Sequence, residues 1–340
     1  MNSVFNQNVA EMKAHATAPA KTILLGEHFV VLGEQAVAMA ISLNSEVNVE
    51  RRGDSSIYIR SLSLNTSGTF KNDKFKLERG GEEARRVLQP LKTVAEAVCD
   101  HAKCLNTGFN IEIDSKIPVA VGLGSSAATA VSTIAAVAES LEAKLRRDEI
   151  CDLAFVPERR IHEKPSGIDQ TTSTYGGVIV YKPSEGFASI PIRHELPIVV
   201  GNSGKARSTG DQVAKVRKLL EERRDFVTNL AKNAGELSAK GVDAIKGGDL
   251  QTLGKLMISN HEILRKVGVS TQSLDRLVQA SLKAGALGAK LTGAGGGGCI
   301  IALTEKDAQQ AVADAIQESG GKAYIVEMDK FGVRAWLDKK

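Results

Sequence analysis

The chain has 340 residues, 42% hydrophobic, 25% charged and 4% aromatic, with 32 glycines and only 8 prolines. Those fractions belong to a folded globular protein and exclude a disordered, collagenous or disulfide-scaffold chain, and the length asks for one large or two moderate domains. A net charge of +4, spread along the chain, with few aromatics, lacks the basic stripe and stacking platforms of a nucleic-acid binder.

In chain order, the first 15 residues carry no apolar stretch of the kind a secretory signal needs. Residues 22–25 and 29–32 are short apolar runs around Gly26-Glu27-His28. Residues 46–51 and 55–60 alternate apolar and polar, as strands do, and 61–80 is polar and turn-rich, a hairpin or loop. From 81 to 103 the period turns helical, with Val87, Leu91, Val94 and Val98 on one face. A strand is expected at 108–113, then a glycine turn after 117–121, then a helix carrying Val131, Ile134, Ala138, Leu141 and Leu145.

Strands at 176–181 and 187–192 flank a turn at 183–186, and Pro191 and Pro197 bracket a boundary. Beyond it come a strand at 196–200, one long helix from 211 to 238, and helices near 249–266 and 271–284, the last with Ser270-Thr271 as its capping pair. A glycine-rich strand at 289–303, a helix at 306–318 and strands at 322–328 and 332–337 complete the chain. Strands and helices in non-alternating order predict an α+β protein rather than one doubly wound sheet.

The uncharged window 117–138 imitates a membrane span, but Pro118, Gly122, Gly124 and its many hydroxyls argue against one. Cys99, Cys104, Cys151 and Cys299 match no zinc spacing and read as reduced thiols of a cytoplasmic protein.

Glycine concentrates in two places, Gly122-Leu123-Gly124-Ser125-Ser126-Ala127-Ala128 and Thr292-Gly293-Ala294-Gly295-Gly296-Gly297-Gly298. In the first, a strand leads in and a helix leads out. Unpaired N–H groups at a helix start carry partial positive charge, glycines admit an anion closely, and the two hydroxyls can bond phosphate or metal. Both segments also fit the dinucleotide fingerprint. The first lacks the acidic residue at the end of a following strand, and the second runs into a strand rather than a helix. A Walker loop is absent. The second segment is either a tight β turn or bare backbone laid against a ligand.

Four further places could carry chemistry. Lys21 precedes an apolar run, as a strand-end lysine or as a cation beside a developing oxyanion. Glu27 and His28 interrupt apolar sequence, as a hydrogen-bonded turn or as part of a pocket. Asp169 follows the Pro165-Ser166-Gly167 turn, as a cap or as a base for an acceptor hydroxyl. Glu158 is a surface carboxylate beside Arg159 and Arg160, or a metal ligand.

Together these segments resemble the GHMP kinase family. Three motifs stand in the family's order: Ala18-Pro19-Ala20-Lys21 through Gly26-Glu27-His28, Pro118 through Ala128, and Lys290-Leu291-Thr292-Gly293 through Gly298-Cys299. Between the last two lies Glu158 through Ile161-His162 to Asp169, so the likeness spans roughly 18–303. It implies a two-domain fold, with an N-terminal domain related to a ribosomal-protein domain (1–192), a ferredoxin-like C-terminal domain (193–340), and the site in the cleft between them.

The resemblance also implies ATP as phosphoryl donor and Mg²⁺ as its counterion. It is strongest to the compact archaeal branch that phosphorylates the C5 hydroxyl of mevalonate in isoprenoid biosynthesis. By that likeness Gly122, Leu123, Gly124, Ser125, Ser126 and Ala127 cradle the ATP phosphates with support from Thr209, and Ser126 and Glu158 hold the metal. Asp169 and Lys21 are the catalytic pair, and Glu27, His28, Ile161, Ser166 and Ala294 line the acceptor site.

The sequence departs from the family at Glu163-Lys164 and Gln170, which flank Asp169. Phe29-Val30-Val31 after His28 disfavours a galactose acceptor, and Asp169 disfavours homoserine. Phosphorylation of phosphomevalonate remains the alternative acceptor chemistry. A catalytically silent relative should have lost Lys21, Glu158 or Asp169, and all three are present. Neither nucleic acid nor membrane is expected as a partner, and a homodimer is the one assembly considered.

Overall fold

The computed structural model describes residues 13–72, 74–156 and 167–338. Strand β1 (Lys13–Leu25) alternates buried and half-buried positions as far as Thr17 and is buried at every position from Ala18 on. The change marks where the strand passes beneath the second half of the molecule, so both of its faces lose water. β2 (Ala36–Arg52) pairs with it antiparallel, with register slips at Pro19/Ala20 and Ile23/Leu25. Pro19 has no N–H to give, and it lies beyond the four residues of β1 that pair on the other side.

The larger sheet adds β3 (Ile57–Ser61), β4 (Thr66–Lys71), β5 (Lys74–Arg79), β6 (Gly108–Ser115), β7 (Val178–Lys182) and β8 (Gly186–Ile190). The polar stretch 61–80 thus supplies the β4–β5 hairpin. The last strand of the chain, β13 (Arg334–Leu337), returns to the edge of this sheet against β1, so the order runs β13-β1-β2-β6-β3-β4-β5. The smaller sheet is antiparallel throughout, in the order β10-β11-β9-β12, from β9 (Ile198–Asn202), β10 (Gly288–Leu291), β11 (Cys299–Leu303) and β12 (Lys322–Val326).

Helix α1 (Ala84–Ala102) buries Leu88, Leu91, Val94 and Val98, whereas Val87 is exposed. The inward stripe therefore begins one residue later than the apolar spacing suggests. α2 (Ser125–Ser140) lies across β1 and β2 and is buried nearly all round. A helix without a water face has no place for a charge, which accounts for the uncharged window. Two of its buried hydroxyls are satisfied within the helix, Ser132 Oγ donating to Ala128 O at 2.8 Å and Thr133 Oγ1 to Thr129 O at 2.7 Å, and Thr129 Oγ1 meets Ser45 Oγ of β2 at 3.0 Å. Leu141 and Leu145 fall beyond its end, where Glu142 takes φ 55°. α3 (Arg147–Ala154) and α4 (Ile168–Tyr175) flank α2.

The long helix expected over 211–238 is two: α5 (Thr209–Glu222) and α6 (Arg224–Gly247). Arg223 leaves helical geometry (φ −140°, ψ 56°) and stacks its guanidinium over Phe226 at 4.3 Å. α5 buries only Val216, so little packing opposes the break. α7 (Leu250–Lys266) and α8 (Gln272–Lys283) pack on β10, and α9 (Gln309–Glu318) packs on β12. The expected glycine-rich strand 289–303 is a hairpin. Five glycines between Gly293 and Gly298 have positive φ, which no ladder accommodates, and they form the loop between β10 and β11.

One apolar core runs without interruption from the large sheet and α1–α2 into Val200, Ile301 and Met257 of the smaller half. A second core fills the space between the small sheet and α5–α9. Continuous close packing of this kind holds the two sheets at one spacing.

Candidate active site

Four stretches of chain meet where β1 passes between the two halves. Lys21 on β1 is 97% buried, and its main-chain N–H donates to Leu123 O at 2.9 Å. Its ammonium donates to Gly122 O at 3.3 Å and pairs with Asp169 Oδ1 at 3.1 Å. The Asp169 side chain is 38% exposed, so the pair has a buried cation and an open carboxylate. Asp169 stands in the first turn of α4, where the helix dipole favours a negative charge.

Gly124 caps α2 in the left-handed region, φ 74°. A Cβ there would lie 3.0 Å from Lys21 Cγ and 3.7 Å from Asp169 Oδ2. Glycine therefore brings the first turn of α2 directly over the Lys21–Asp169 pair. No side chain caps the helix, and its first internal bond is Ala128 N–H to Gly124 O at 2.9 Å. The N–H groups of Ser125, Ser126 and Ala127 thus have no helical acceptor, the condition for binding an anion. Ser126 is exposed at this turn, and Leu123 is buried beneath it.

From the other half, Arg207 enters between the two glycine segments. A Cβ on Gly122 would overlap its guanidinium, one on Gly293 would come within 3.0 Å of both terminal nitrogens, and one on Gly298 within 3.1 Å of Cδ. Its Nη1 is buried and has no hydrogen-bond partner. Burial pushes the Arg207 pKa down and the nearby Asp169 charge opposes that. A guanidinium still keeps its proton, so the slot holds a cation with an unspent donor. Such a group is suited to receive an anion.

His28 sits at φ 61° just past β1, and its Nε2–H donates to Ala294 O at 2.9 Å across the halves. Burial lowers its pKa, the Ala294 hydrogen bond opposes this, and Arg207 adds to the lowering. The ring is thus neutral at pH 7. Glu27 is buried, with its carboxylate paired to Lys290 and accepting from Asn260 Nδ2 at 3.3 Å. Thr209 is exposed at the start of α5, two residues past Arg207, with Ser208 Oγ capping the helix by accepting from Asp211 N–H at 3.2 Å. Glu158, Ile161 and Ser166 lie outside the described residues.

Arg207 and Asn260 carry no functional sign in the sequence, and Lys290 figures there only as the first residue of the third motif. An arginine in a polar loop is unremarkable until two glycines half the chain apart close on it. Lys290 carried a usable sign, a lysine inside a four-residue strand with no exposed position. Among the described residues no group of three or more His, Cys, Asp or Glu could hold a metal, and no helix is long and apolar enough to cross a membrane.

Comparison with known proteins identifies the family. The family model for the GHMP kinases N terminal domain matches residues 89–177, and that for the GHMP kinases C terminal domain matches 242–322. The mevalonate kinase of Pyrococcus abyssi is 41% identical over 327 residues, covering 94% of this chain and 96% of its own. The crystal structure of the Methanococcus jannaschii mevalonate kinase superposes with a TM-score of 0.79 at 29% identity, covering 95% of this chain and 99% of its own. That of the L. major mevalonate kinase in complex with R-mevalonate gives a TM-score of 0.78 at 29% identity, covering 92% and 95%. With both domains present in order and a relative 41% identical over 94% of this chain, the chain belongs to the GHMP kinase family.

Proposed function

We propose that the chain transfers the γ-phosphoryl group of ATP to the C5 hydroxyl of mevalonate, giving 5-phosphomevalonate and ADP. The observation that carries this is the Lys21–Asp169 pair at 3.1 Å, set beneath the unpaired N–H groups of α2 and beside the unpartnered Arg207. Phosphoryl transfer asks for positioning and charge stabilisation more than for covalent chemistry, and this is a site of fixed donors around one open carboxylate. The acceptor is supported by relatives named mevalonate kinase at 41% identity and by the L. major enzyme that holds R-mevalonate.

In this reading Asp169 accepts the acceptor hydroxyl's proton or orients it, and Lys21 favours the alkoxide. The first turn of α2 receives the phosphates, Arg207 meets the charge that builds on the transferred group, and Thr209 supports the phosphate end. His28 and Ala294 wall the acceptor side; Ile161 and Ser166, which lie outside the described residues, are assigned to acceptor binding by the family resemblance alone. Hard oxygen donors suit Mg²⁺, and the exposed Ser126 hydroxyl at an anion-binding turn fits that role. Ser126 and Glu158 would hold the ion, which would neutralise phosphate charge. The division near residue 192 is part of the proposal, with the acceptor groups drawn mainly from before it, and Arg207 and the glycine loop from after it. The four free cysteines favour a cytoplasmic setting.

The test is ADP release by the purified protein over mevalonate, phosphomevalonate, homoserine and galactose. Turnover with mevalonate well above the other three is expected. Absence of turnover with mevalonate rejects the proposal, and turnover confined to phosphomevalonate moves it to the alternative acceptor.

A further inference from the structure

Behind the catalytic strand lies a charged cluster that the chemistry above does not use. Lys290, on β10 at the edge of the small sheet, is fully buried and reaches across to the end of β1. An ammonium has three N–H donors and no acceptor, and three acceptors surround this one. They are the Glu27 carboxylate, Ile23 O at 3.3 Å and Leu291 O at 2.7 Å. The second oxygen of Glu27 accepts from Asn260 Nδ2 at 3.3 Å, and Asn260 Oδ1 accepts from Gly26 N–H at 3.2 Å. Next to it Thr292 Oγ1 accepts from Ile23 N–H at 2.9 Å, and His28 reaches Ala294 O. Residues 23 to 28 of one half are thus tied to residues 260, 290, 292 and 294 of the other.

We infer that Lys290 is a positioning residue for phosphoryl transfer: by clamping Glu27 it holds the His28 turn against the glycine loop and sets the width of the acceptor side of the site. The inference rests on the reading under Proposed function. Two arguments support it. First, a buried ion pair rarely outperforms apolar side chains of equal volume as a source of stability, because both ions lose their water. What a saturated pair supplies is one geometry. Second, His28 sits at φ 61°, ψ −39°, a conformation that survives only when its surroundings over-determine it. Glu27 on one side and Ala294 on the other are those surroundings. Burial pushes the Lys290 ammonium pKa down, the Glu27 charge and hydrogen bond push it back, and Lys21 adds to the lowering.

The test compares the wild-type chain with Lys290→Met and with the double variant Lys290→Met/Glu27→Gln. Lys290→Met strands a buried carboxylate and is included for folding alone. The double variant removes both charges and keeps the volume, so it should fold. Steady-state kinetics are measured with ATP and mevalonate, and amide hydrogen exchange without any substrate. The expected result is a rise in the acceptor KM of tenfold or more with the ATP KM within twofold, and faster exchange at 26–30 and 292–298. A residue that only stabilises would lower the melting temperature and the active fraction and leave both KM values alone. A folded double variant with acceptor KM and exchange both at wild-type values overturns the inference. If the wild-type chain does not turn over mevalonate, the functional proposal fails by itself. Exchange at the two segments then still decides whether Lys290 clamps them, faster exchange upholding the clamp and unchanged exchange removing it.

Discussion

Replacing Arg207 by methionine separates binding chemistry from folding in a single side chain. In the wild type the guanidinium lies between Gly122 and Gly293 with a buried, unpartnered Nη1. In the protein alone this cation has lost water and is only partly compensated by the Asp169 charge, so its removal should leave stability unchanged or raise it. With substrates bound the sign reverses. A unit charge about 4 Å from the transferred group, at an effective dielectric near 20, is worth about 4 kcal/mol. About 1.4 kcal/mol corresponds to tenfold in rate, so the Coulomb figure is an upper bound near three decades. Loss of a single preorganised donor typically costs about 10²–10³ in kcat. We therefore expect Arg207→Met to lower kcat by about 10²–10³ while its melting temperature without ligand stays at or above that of the wild type. A coupled ADP-release assay and a thermal melt on the same preparation read both quantities. A variant within threefold of wild-type kcat, or one that melts several degrees lower, would refute the reasoning. The first outcome denies Arg207 a role at the phosphates, and the second makes it a structural residue.

Three further outcomes are expected. Asp169→Asn keeps the volume and the contact with Lys21 but loses the charge, and should cut turnover by about 10²–10⁴ with ATP affinity by calorimetry unchanged; near-wild-type turnover would remove Asp169 from the chemistry. Gly122→Ala adds a Cβ at φ 91° that overlaps the Arg207 guanidinium, so it should lose about 1–2 kcal/mol of stability to backbone strain and lower kcat through the displaced arginine. A Gly122→Ala enzyme with full activity would show the slot to be looser than described.

Acidification should destabilise the fold. Burial is the main cause holding His28 and His261 below the ordinary 6.5, so the unfolded chain takes up protons first as pH falls. The stability they contribute is complete above about pH 6.5 and is lost as pH drops through their native values, by at most about 1.4 kcal/mol per pH unit for each histidine. Thermal melts between pH 7.5 and 5.5 check this, and a melting temperature that rises on acidification contradicts the sign.

The local parts of the fold were legible wherever a period or a backbone preference speaks for itself. The α2 helix, the 178–182 and 186–190 hairpin and the cap at Thr271 follow from apolar spacing, turn residues and a hydroxyl before a helix. The misreadings share a cause. Val87 for Leu88, one helix for α5 and α6, and a strand across 292–298 each took a pattern at face value where tertiary packing or left-handed backbone overrode it.

Two acidic residues show the limit most clearly. Glu27 and Asp169 each stand within two residues of a glycine with positive φ, and the sequence places both at the site. Packing turned Asp169 toward solvent beside Lys21 and sealed Glu27 behind the strand against Lys290. By itself the sequence determined where bare backbone must approach an anion, because glycine conformations and free helix-start N–H groups are properties of a few consecutive residues. The tertiary structure alone decided that Arg207 would lie between glycines at 122 and 293, that 334–337 would close the sheet against β1, and which carboxylate would meet water. Those outcomes depend on charges and strands far apart in the chain, whose neighbours and dielectric exist only once the two sheets have packed.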